Sequence, residues 1–422
     1  MKNLCRNLFL IFVCINPVLG NAVLNVGIGK TEITPAIGTP SAGYADRNGE
    51  GMQGVHDPLL AIALFIDNDE KQIVLCSVDH LGFTYEMVQE ITQQARALPQ
   101  LKQCEIYIAS SHTHSGGGAY LNIPVLGESL AGRYDPEARH LYVKKTAEAI
   151  IQASQNAIPS KIGFGYTKAQ DLSQYRSSWP PAIQPISDVT VIKITKLDET
   201  PLAVLFNYAI HPTVLGSQNR LFSSDFVGYA RDHVQALLGS EIQPIYFNGA
   251  QGDITPIIFN KQDRYATCEV IGRSLAKTVQ EAWNEIEVSD SLDIKTQKAS
   301  YSFKPQATPF GLQLPLNEYQ SEMNVIVLDH LHAFITVPGE LSSVYDQRLK
   351  TMGNKLGYSH VSIFGLTNDA HGYIILPESW KNKTFESGLS FGGENYGETI
   401  ETRAMTLLKN NAPEYTEMTS KF

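Results

Sequence analysis

The sequence predicts an α/β fold in which mixed β-sheets are flanked by helices. Short apolar runs rich in β-branched and aromatic residues recur along the chain, and amphipathic stretches with helical spacing alternate with them. Because strands and helices interleave from end to end, the helices are expected to pack on sheet faces. Of the 422 residues, 43% are hydrophobic and 18% are charged, which is enough apolar material for a large core.

Nine apolar runs are predicted to form strands. Their hydrophobicity is nearly continuous rather than alternating, which is typical of strands buried on both faces. The predicted strands cover residues 59–66, 72–78, 105–111, 189–195, 202–210, 244–249, 324–329, 332–337 and 361–366.

Five amphipathic stretches are predicted to form helices. The clearest begins with Asp135 as the N-cap and Pro136 at the first helical position. Similar patterns cover residues 226–238, 266–285, 340–352 and 398–409. Residues 286–323 are polar and contain three prolines, so they are either a loop-rich excursion or a weak domain boundary. We prefer a single domain over residues 23–422.

The first 22 residues have the pattern of a secretory signal peptide. Lys2 and Arg6 precede an apolar run, and small residues follow near Gly20 and Ala22. The run is shorter than the roughly 20 residues of a membrane span. A secreted or periplasmic location is therefore expected.

Several classes of protein are disfavoured. The net charge is -10 and no dense Lys/Arg cluster occurs, so nucleic acid is not an expected partner. Gly29–Thr31 reads "GKT", but Leu24 stands where a phosphate-binding loop needs glycine. No Gly-x-Ser-x-Gly motif occurs. After the signal peptide only Cys76, Cys104 and Cys268 remain, either with one disulfide or as free thiols.

Polar and titratable residues follow five of the predicted strands. In open α/β sheets, ligands bind at the carboxyl ends of strands, so residues from distant parts of the chain are expected to meet there. These segments are His112–His114, His211–Thr213, Gln251–Pro256, Pro338–Glu340 and Asn368–Tyr373.

The histidines in these segments suggest a metal site. If the strand continues through His112, the side chains of His112 and His114 project to the same side. His112 and His211 together with Glu340 would form a nitrogen-and-oxygen donor set suited to catalytic zinc. Each residue also has a structural interpretation: the histidines as hydrogen-bonded strand or turn residues, Glu340 as a first-turn helix acid. The histidines at 56, 80, 140, 233, 330, 332, 360 and 371 are taken as surface or structural.

Seven segments in order resemble the neutral/alkaline ceramidase family, over residues 24–410. They are "VGIGKTEITPAIGTPSAGYADR", "GVHDPLLAIAL", "SSHTHSGGGAY", "FNYAIHPT", "SSDFVGYAR", "FNGAQGDITP" and "VPGEL". The resemblance implies a zinc enzyme that hydrolyses the amide between a fatty acid and a sphingoid base. It also implies a short form without the family's C-terminal immunoglobulin-like domain.

The resemblance assigns roles to individual residues. It implies zinc ligands at His112, His211, Glu340 and Tyr373. It places His114 and Arg176 beside the substrate, where they would stabilise the developing oxyanion. The remaining catalytic candidates are Asp253 and Thr255, and Thr255 occupies the place of the family's serine in the Gly-Asp-x-Ser-Pro motif.

Two mechanisms and three functions remain open from the sequence. Water activated by zinc attacks the amide with Thr255 as a helper, which we prefer, or the Thr255 hydroxyl is itself activated. The expected substrate is ceramide or a related N-acyl lipid, and peripheral membrane contact is expected with it. The alternatives are a hydrolase of another amide or ester, and a non-catalytic lipid-binding protein. Acyl-chain preference and oligomeric state do not follow from the sequence.

Overall fold

The structure, a computed structural model, describes residues 23–180 and 184–413. The predicted signal peptide lies outside these residues. The eighteen described strands are β1 (Asn25–Glu32), β2 (Gly54–Val55), β3 (Leu60–Asp67), β4 (Gln72–Val78), β5 (Glu105–Ser110), β6 (Ile158–Lys168), β7 (Ser173–Tyr175), β8 (Asp188–Lys196), β9 (Pro201–Tyr208), β10 (Leu221–Phe222), β11 (Gln243–Asn248), β12 (Ile254–Pro256), β13 (Ile294–Phe303), β14 (Tyr319–Leu328), β15 (His332–Thr336), β16 (Glu340–Leu341), β17 (His360–Phe364) and β18 (Tyr373–Ile374).

Eight α-helices lie between these strands. They are α1 (Tyr85–Ala95), α2 (Leu126–Ala131), α3 (Pro136–Gln155), α4 (Phe226–Leu238), α5 (Arg264–Glu285), α6 (Ser343–Lys355), α7 (Pro377–Lys381) and α8 (Tyr396–Asn410). Short 3-10 turns occur at Ala45–Arg47, Pro99–Leu101 and Phe385–Leu389. The predicted start of α3 is confirmed: Pro136 is its first residue, and the Asp135 carboxylate accepts a hydrogen bond from the Glu137 amide at 2.9 Å.

The larger sheet has eight strands in the order β11-β9-β8-β6-β1-β3-β4-β5. It is mixed, because β11 and β9 are parallel, as are β4 and β5, whereas the pairs between them are antiparallel. Alternate residues of β3 pack in different clusters: Phe65 contributes to the core beneath α1 and α3, and Leu64 to a core on the opposite face. The prediction of strands buried on both faces is confirmed.

A second sheet with the order β13-β14-β15-β17 covers that opposite face. Phe334 and Phe364 of this sheet join Leu64 in the shared apolar cluster. The outer face of the second sheet packs against α6 and α8. The structure therefore has four successive layers: a layer of helices, the larger sheet, the smaller sheet and a second layer of helices. This confirms the predicted α/β class with mixed sheets.

The two edge strands of the larger sheet approach each other at their carboxyl ends. The buried Asn248 side chain, at the end of β11, donates hydrogen bonds to the Ser111 carbonyl and the Ile210 carbonyl, each at 3.0 Å. Ser111 follows β5 and Ile210 follows β9, so one amide joins the ends of three strands. The segments that carry His112 and His211 are thereby brought together.

Some features differ from the sequence predictions. Residues 294–303 lie in the stretch taken as loop-rich, but they form the edge strand β13. Most residues of β13 are partly or fully exposed, so the apolar pattern is weak there. Cys76, Cys104 and Cys268 are free and buried, so none of them forms a disulfide.

Among the described residues, no helix is both long and apolar enough to cross a bilayer.

His80 is buried in a box of aromatic rings rather than at the surface. Its ring centroid lies 4.7 Å from Phe83, 4.4 Å from Tyr120 and 4.9 Å from Tyr142. Burial lowers the pKa of His80 to about 3. The folded protein therefore holds this ring neutral at pH values where the unfolded chain protonates it.

We predict that His80→Phe weakens the dependence of stability on acid pH. Because the folded pKa lies below the unfolded value, the stabilising contribution of the neutral ring is complete above pH ~6.5 and is lost as the pH falls. From pH 7 to pH 5 the wild type should lose up to about 2 kcal/mol more than His80→Phe. Urea unfolding at both pH values measures this difference. The exposed His140→Gln serves as the control, and equal losses in His80→Phe and the wild type would refute the prediction.

Candidate metal centre

His112 lies two residues beyond the end of β5, in a left-handed backbone conformation with φ of 73°. The expectation that the strand continues through His112 is therefore wrong. Positive φ is unfavourable for a residue with a β-carbon and is often retained at functional sites. The Nδ1–H group of His112 donates to the Leu81 carbonyl at 2.6 Å, so the lone pair of the neutral ring lies on Nε2.

His211 is oriented in the same way from the other side. Its Nδ1–H group donates to the carbonyls of Gln251 at 2.7 Å and Ile254 at 3.0 Å, which again leaves the lone pair on Nε2. The side chain is fully buried. Burial, with the nearby positive charge of Arg176, lowers the pKa of His211 to about 4, so the ring is neutral at pH 7.

Glu340 brings a carboxylate to the two imidazoles. Its Oε2 atom lies 3.2 Å from His112 Nε2 and 2.9 Å from His211 Nε2. Burial opposes ionisation of this carboxyl group, but the two imidazoles hold the pKa of Glu340 well below its usual value. The short ladder between β16 and β18 places Tyr373 directly beside Glu340.

These contacts fit a bound divalent cation. Both Nδ1–H groups are committed to carbonyls, so two nitrogen lone pairs and a carboxylate oxygen point at one another. Three acceptors in contact repel unless a proton or a metal cation lies between them. A proton on His211 is excluded at neutral pH by its lowered pKa. Imidazole nitrogens and a carboxylate oxygen are typical ligands of zinc.

A second donor set includes His114. The nitrogens of His112, His114 and His211 lie within 4.8 Å of one another, and His114 Nε2 is 3.3 Å from His112 Nε2. Unlike the other two rings, His114 has a buried Nδ1 with no hydrogen-bond partner among the described residues. Metal-binding histidines usually have the second nitrogen anchored, so His112, His211 and Glu340 are the better-supported set.

Arg176 links the candidate metal ligands to the cavity. Its Nη2 group donates to Tyr373 Oη and to the Gly252 carbonyl, each at 2.9 Å, and lies 3.3 Å from His211 Nε2. Burial alone would lower the pKa of Arg176, but Tyr373, Glu340 and Glu386 raise it. The guanidinium therefore stays charged beside the metal centre.

The sequence reasoning missed Glu386, which orients Arg176. Glu386 is buried and accepts hydrogen bonds from Arg176 Nε at 3.3 Å and Ser177 Oγ at 3.1 Å. The two residues lie 210 positions apart, and no local pattern marks Glu386. The adjacent Phe385 ring lies 5.6 Å from the Arg176 guanidinium.

Thr255 and Asp253 lie apart from the cavity wall. Thr255 is half-buried in β12, where it pairs with Gln174. The buried Asp253 carboxylate accepts hydrogen bonds from the Ser342 hydroxyl and the Ser343 amide at the start of α6. Neither residue is among those that line the cavity. The catalytic roles assigned to them remain predictions.

The candidate metal centre opens into a cavity of about 330 Å³. His112, His114, Arg176, Glu340 and Tyr373 line its polar end. Its remaining wall is largely apolar and comes from three separate parts of the chain. The main apolar lining residues are Leu121, Ile123, Leu126, Leu130, Leu314, Leu389 and Phe391.

Comparison with protein families gives a match to the model described as neutral/alkaline non-lysosomal ceramidase, N-terminal, over residues 24–272. The chain belongs to this family. The matched part contains His112, His114, Arg176 and His211, whereas Glu340 and Tyr373 lie beyond it. The assignment of these two residues is supported by the geometry of the site.

Curated ceramidases are similar over about half of this chain. The neutral ceramidase of Drosophila melanogaster is 26% identical over 240 residues, which are 53% of this chain and 34% of that protein. The neutral ceramidase of Mycobacterium tuberculosis is 24% identical over 240 residues, or 51% of this chain and 36% of that protein. The matches therefore span about a third of the length of these relatives.

The fold is also that of a solved ceramidase. The crystal structure of neutral ceramidase from Pseudomonas aeruginosa superposes with a TM-score of 0.81 at 15% identity, covering 92% of this chain and 74% of that chain. A ceramidase complexed with C2 gives a TM-score of 0.80 at 14% identity, covering 92% of this chain and 75% of that chain. The family model matches residues 24–272, whereas the two superpositions show the same fold over nearly the whole chain.

Proposed function

We propose that this ceramidase-family chain is a zinc-dependent amidohydrolase that cleaves ceramide or a related N-acyl lipid into a fatty acid and an amine. The observation that carries the proposal is the convergence of His112 Nε2, His211 Nε2 and the Glu340 carboxylate, two of which line the polar end of a largely apolar cavity. The family membership of the chain supports the same activity.

The metal ligands in this proposal are His112, His211, Glu340 and Tyr373. When bound, zinc would polarise the amide carbonyl and lower the pKa of the attacking water. The main-chain carbonyls behind His112 and His211 hold their rings in the orientation that metal binding requires. Arg176 donates a hydrogen bond to Tyr373 and thereby fixes the phenol oxygen.

His114 and Arg176 would stabilise the charge that develops during the reaction. Attack of water on the amide carbon moves negative charge onto the carbonyl oxygen, and donors already in place stabilise that charge most effectively. Both side chains line the cavity next to the metal ligands. Breaking of the C–N bond then releases the fatty acid and the amine.

The apolar end of the cavity would hold a hydrocarbon chain of the substrate. Leu126, Leu314 and Phe391 form a small buried cluster, separate from the main cores. Burial of a methylene group contributes about 0.8 kcal/mol, so even part of an acyl or sphingoid chain would bind favourably.

The proposal extends to export and to contact with a membrane surface. The charge and hydropathy pattern of residues 1–22 supports export. The Phe385 side chain lines the cavity and is 73% exposed, which suits contact with lipid at the entrance.

A substrate panel tests the proposed activity. We expect the zinc-loaded protein to hydrolyse ceramide in detergent micelles, with fatty acid and sphingoid base detected by mass spectrometry. Dialysis against a chelator should abolish turnover, and zinc should restore it. Turnover of N-acyl amino acids or aryl esters without turnover of ceramide would favour the alternative hydrolase. Full activity in a metal-free preparation would defeat the proposed mechanism.

The role of the apolar cavity wall is tested by a matched pair of leucines. Leu314 lines the cavity, whereas Leu316 is 43% exposed and is not among the lining residues. Leu314→Ala removes contacts with the bound chain, so kcat/KM for a long-chain substrate should fall about tenfold. A short-chain substrate should be less affected, and Leu316→Ala should behave like the wild type. Equal losses for long and short chains would refute this role for Leu314.

A further inference from the structure

Arg47, at the end of the 3-10 turn Ala45–Arg47, is almost fully buried, with 1% of its surface exposed. Its guanidinium donates to the carbonyls of Ser217 and Gly216, each at 3.1 Å, and to Ser41 Oγ at 2.9 Å. A fourth hydrogen bond joins it to the main-chain carbonyl of His114. Four donor interactions therefore originate from one buried side chain.

No carboxylate in the described part of the chain forms an ion pair with Arg47. Burial of a cation without a counter-ion is costly, and here neutral oxygens and the face of the Tyr44 ring compensate it. Desolvation also lowers the pKa of Arg47 to about 10. An apolar residue would fill the same volume at lower cost, so the hydrogen bonds themselves need an explanation.

The hydrogen bonds of Arg47 join three loops that line one side of the cavity. Residues 41–47 contribute Tyr44, the segment after β5 contributes His114, and the segment after β9 contributes Thr213. Removal of the guanidinium would release all three loops at once, next to the polar end of the cavity.

His114 depends on this arrangement more than the other two histidines do. His112 and His211 are anchored by their own Nδ1–H groups, whereas His114 Nδ1 has no described partner. Packing holds the His114 ring instead. The Tyr44 ring lies 4.7 Å from it, and a β-carbon on Gly43 would come within 2.4 Å of His114 Nδ1.

Arg47 also holds the Tyr44 ring in place. Its guanidinium carbon lies 4.9 Å from the centre of the Tyr44 ring, a distance typical of a cation–π interaction. The Arg47 side chain thus acts on His114 in two ways. One is the direct hydrogen bond to the main-chain carbonyl, and the other passes through the aromatic ring.

We propose that Arg47 is a positioning residue that fixes the His114 imidazole for catalysis, through the His114 carbonyl and the Tyr44 ring. The catalytic consequence rests on the proposed function, whereas the structural consequence for the ring does not.

The catalytic consequence is tested with Arg47→Met. We expect kcat to fall about 10- to 100-fold, as is typical when a reacting group is displaced by about 1 Å, while KM changes less. In a His114→Ala background the same substitution should lower kcat less than threefold, because the group it positions is gone. Arg220 also donates to the Ser217 carbonyl but makes no described contact with His114, so Arg220→Met is the matched control. Equal losses of kcat in the two backgrounds would overturn the proposal.

The structural consequence is tested by NMR of protein labelled with 15N in the histidine rings. The His114 signals are assigned by their loss in His114→Ala. Arg47→Met should shift them and leave those of His112 and His211 in place. If Arg47→Met does not fold, Tyr44→Leu tests the contact through the aromatic ring while the Arg47 guanidinium stays in place. Unshifted His114 signals in a folded variant would overturn the proposal even if the protein has no ceramidase activity.

Discussion

Two imidazole rings are held by main-chain carbonyls so that their free nitrogens face one carboxylate oxygen. The carbonyl of Leu81 lies behind His112, and those of Gln251 and Ile254 lie behind His211. With the rings neutral, the acceptor atoms repel each other unless a cation is present. This electrostatic preference links the fold to the proposed chemistry, because the same contacts that orient the rings also make the site suited to a metal ion.

The layered fold supplies the conditions for that arrangement. His112 and His211 follow β5 and β9, which are well separated in the larger sheet. Asn248 joins the ends of these strands through the carbonyls of Ser111 and Ile210. Glu340 and Tyr373 come from the ladder next to the smaller sheet. The candidate metal centre therefore lies where the two sheets meet, and burial keeps its polar groups out of bulk water.

The sequence was sufficient for the parts of the fold that follow from local patterns. Continuous apolar runs marked nine of the strands but not β1 or β6, and the cap at Asp135 marked the start of α3. The edge strand β13 was missed because a half-exposed strand has a weak apolar signal. The left-handed conformation of His112 was also missed, since no residue pattern beside it requires positive φ.

The site could be predicted only where a local sequence pattern or the family resemblance marks its residues. Residues at strand ends, such as His112 and His211, could be identified as candidates, and the family resemblance added Tyr373 and Arg176. Glu386 and Arg47 could not be identified, because their roles come only from contacts with residues far away in the sequence. The apolar end of the cavity is built from three distant segments, and none of them is distinctive alone.

The most direct test of the metal centre is anomalous X-ray diffraction at the zinc absorption edge, from crystals of catalytically active, zinc-loaded protein. We predict one strong anomalous peak bounded by His112 Nε2, His211 Nε2 and an oxygen of Glu340. An active crystal with no peak there, or with its zinc bound elsewhere, would contradict it.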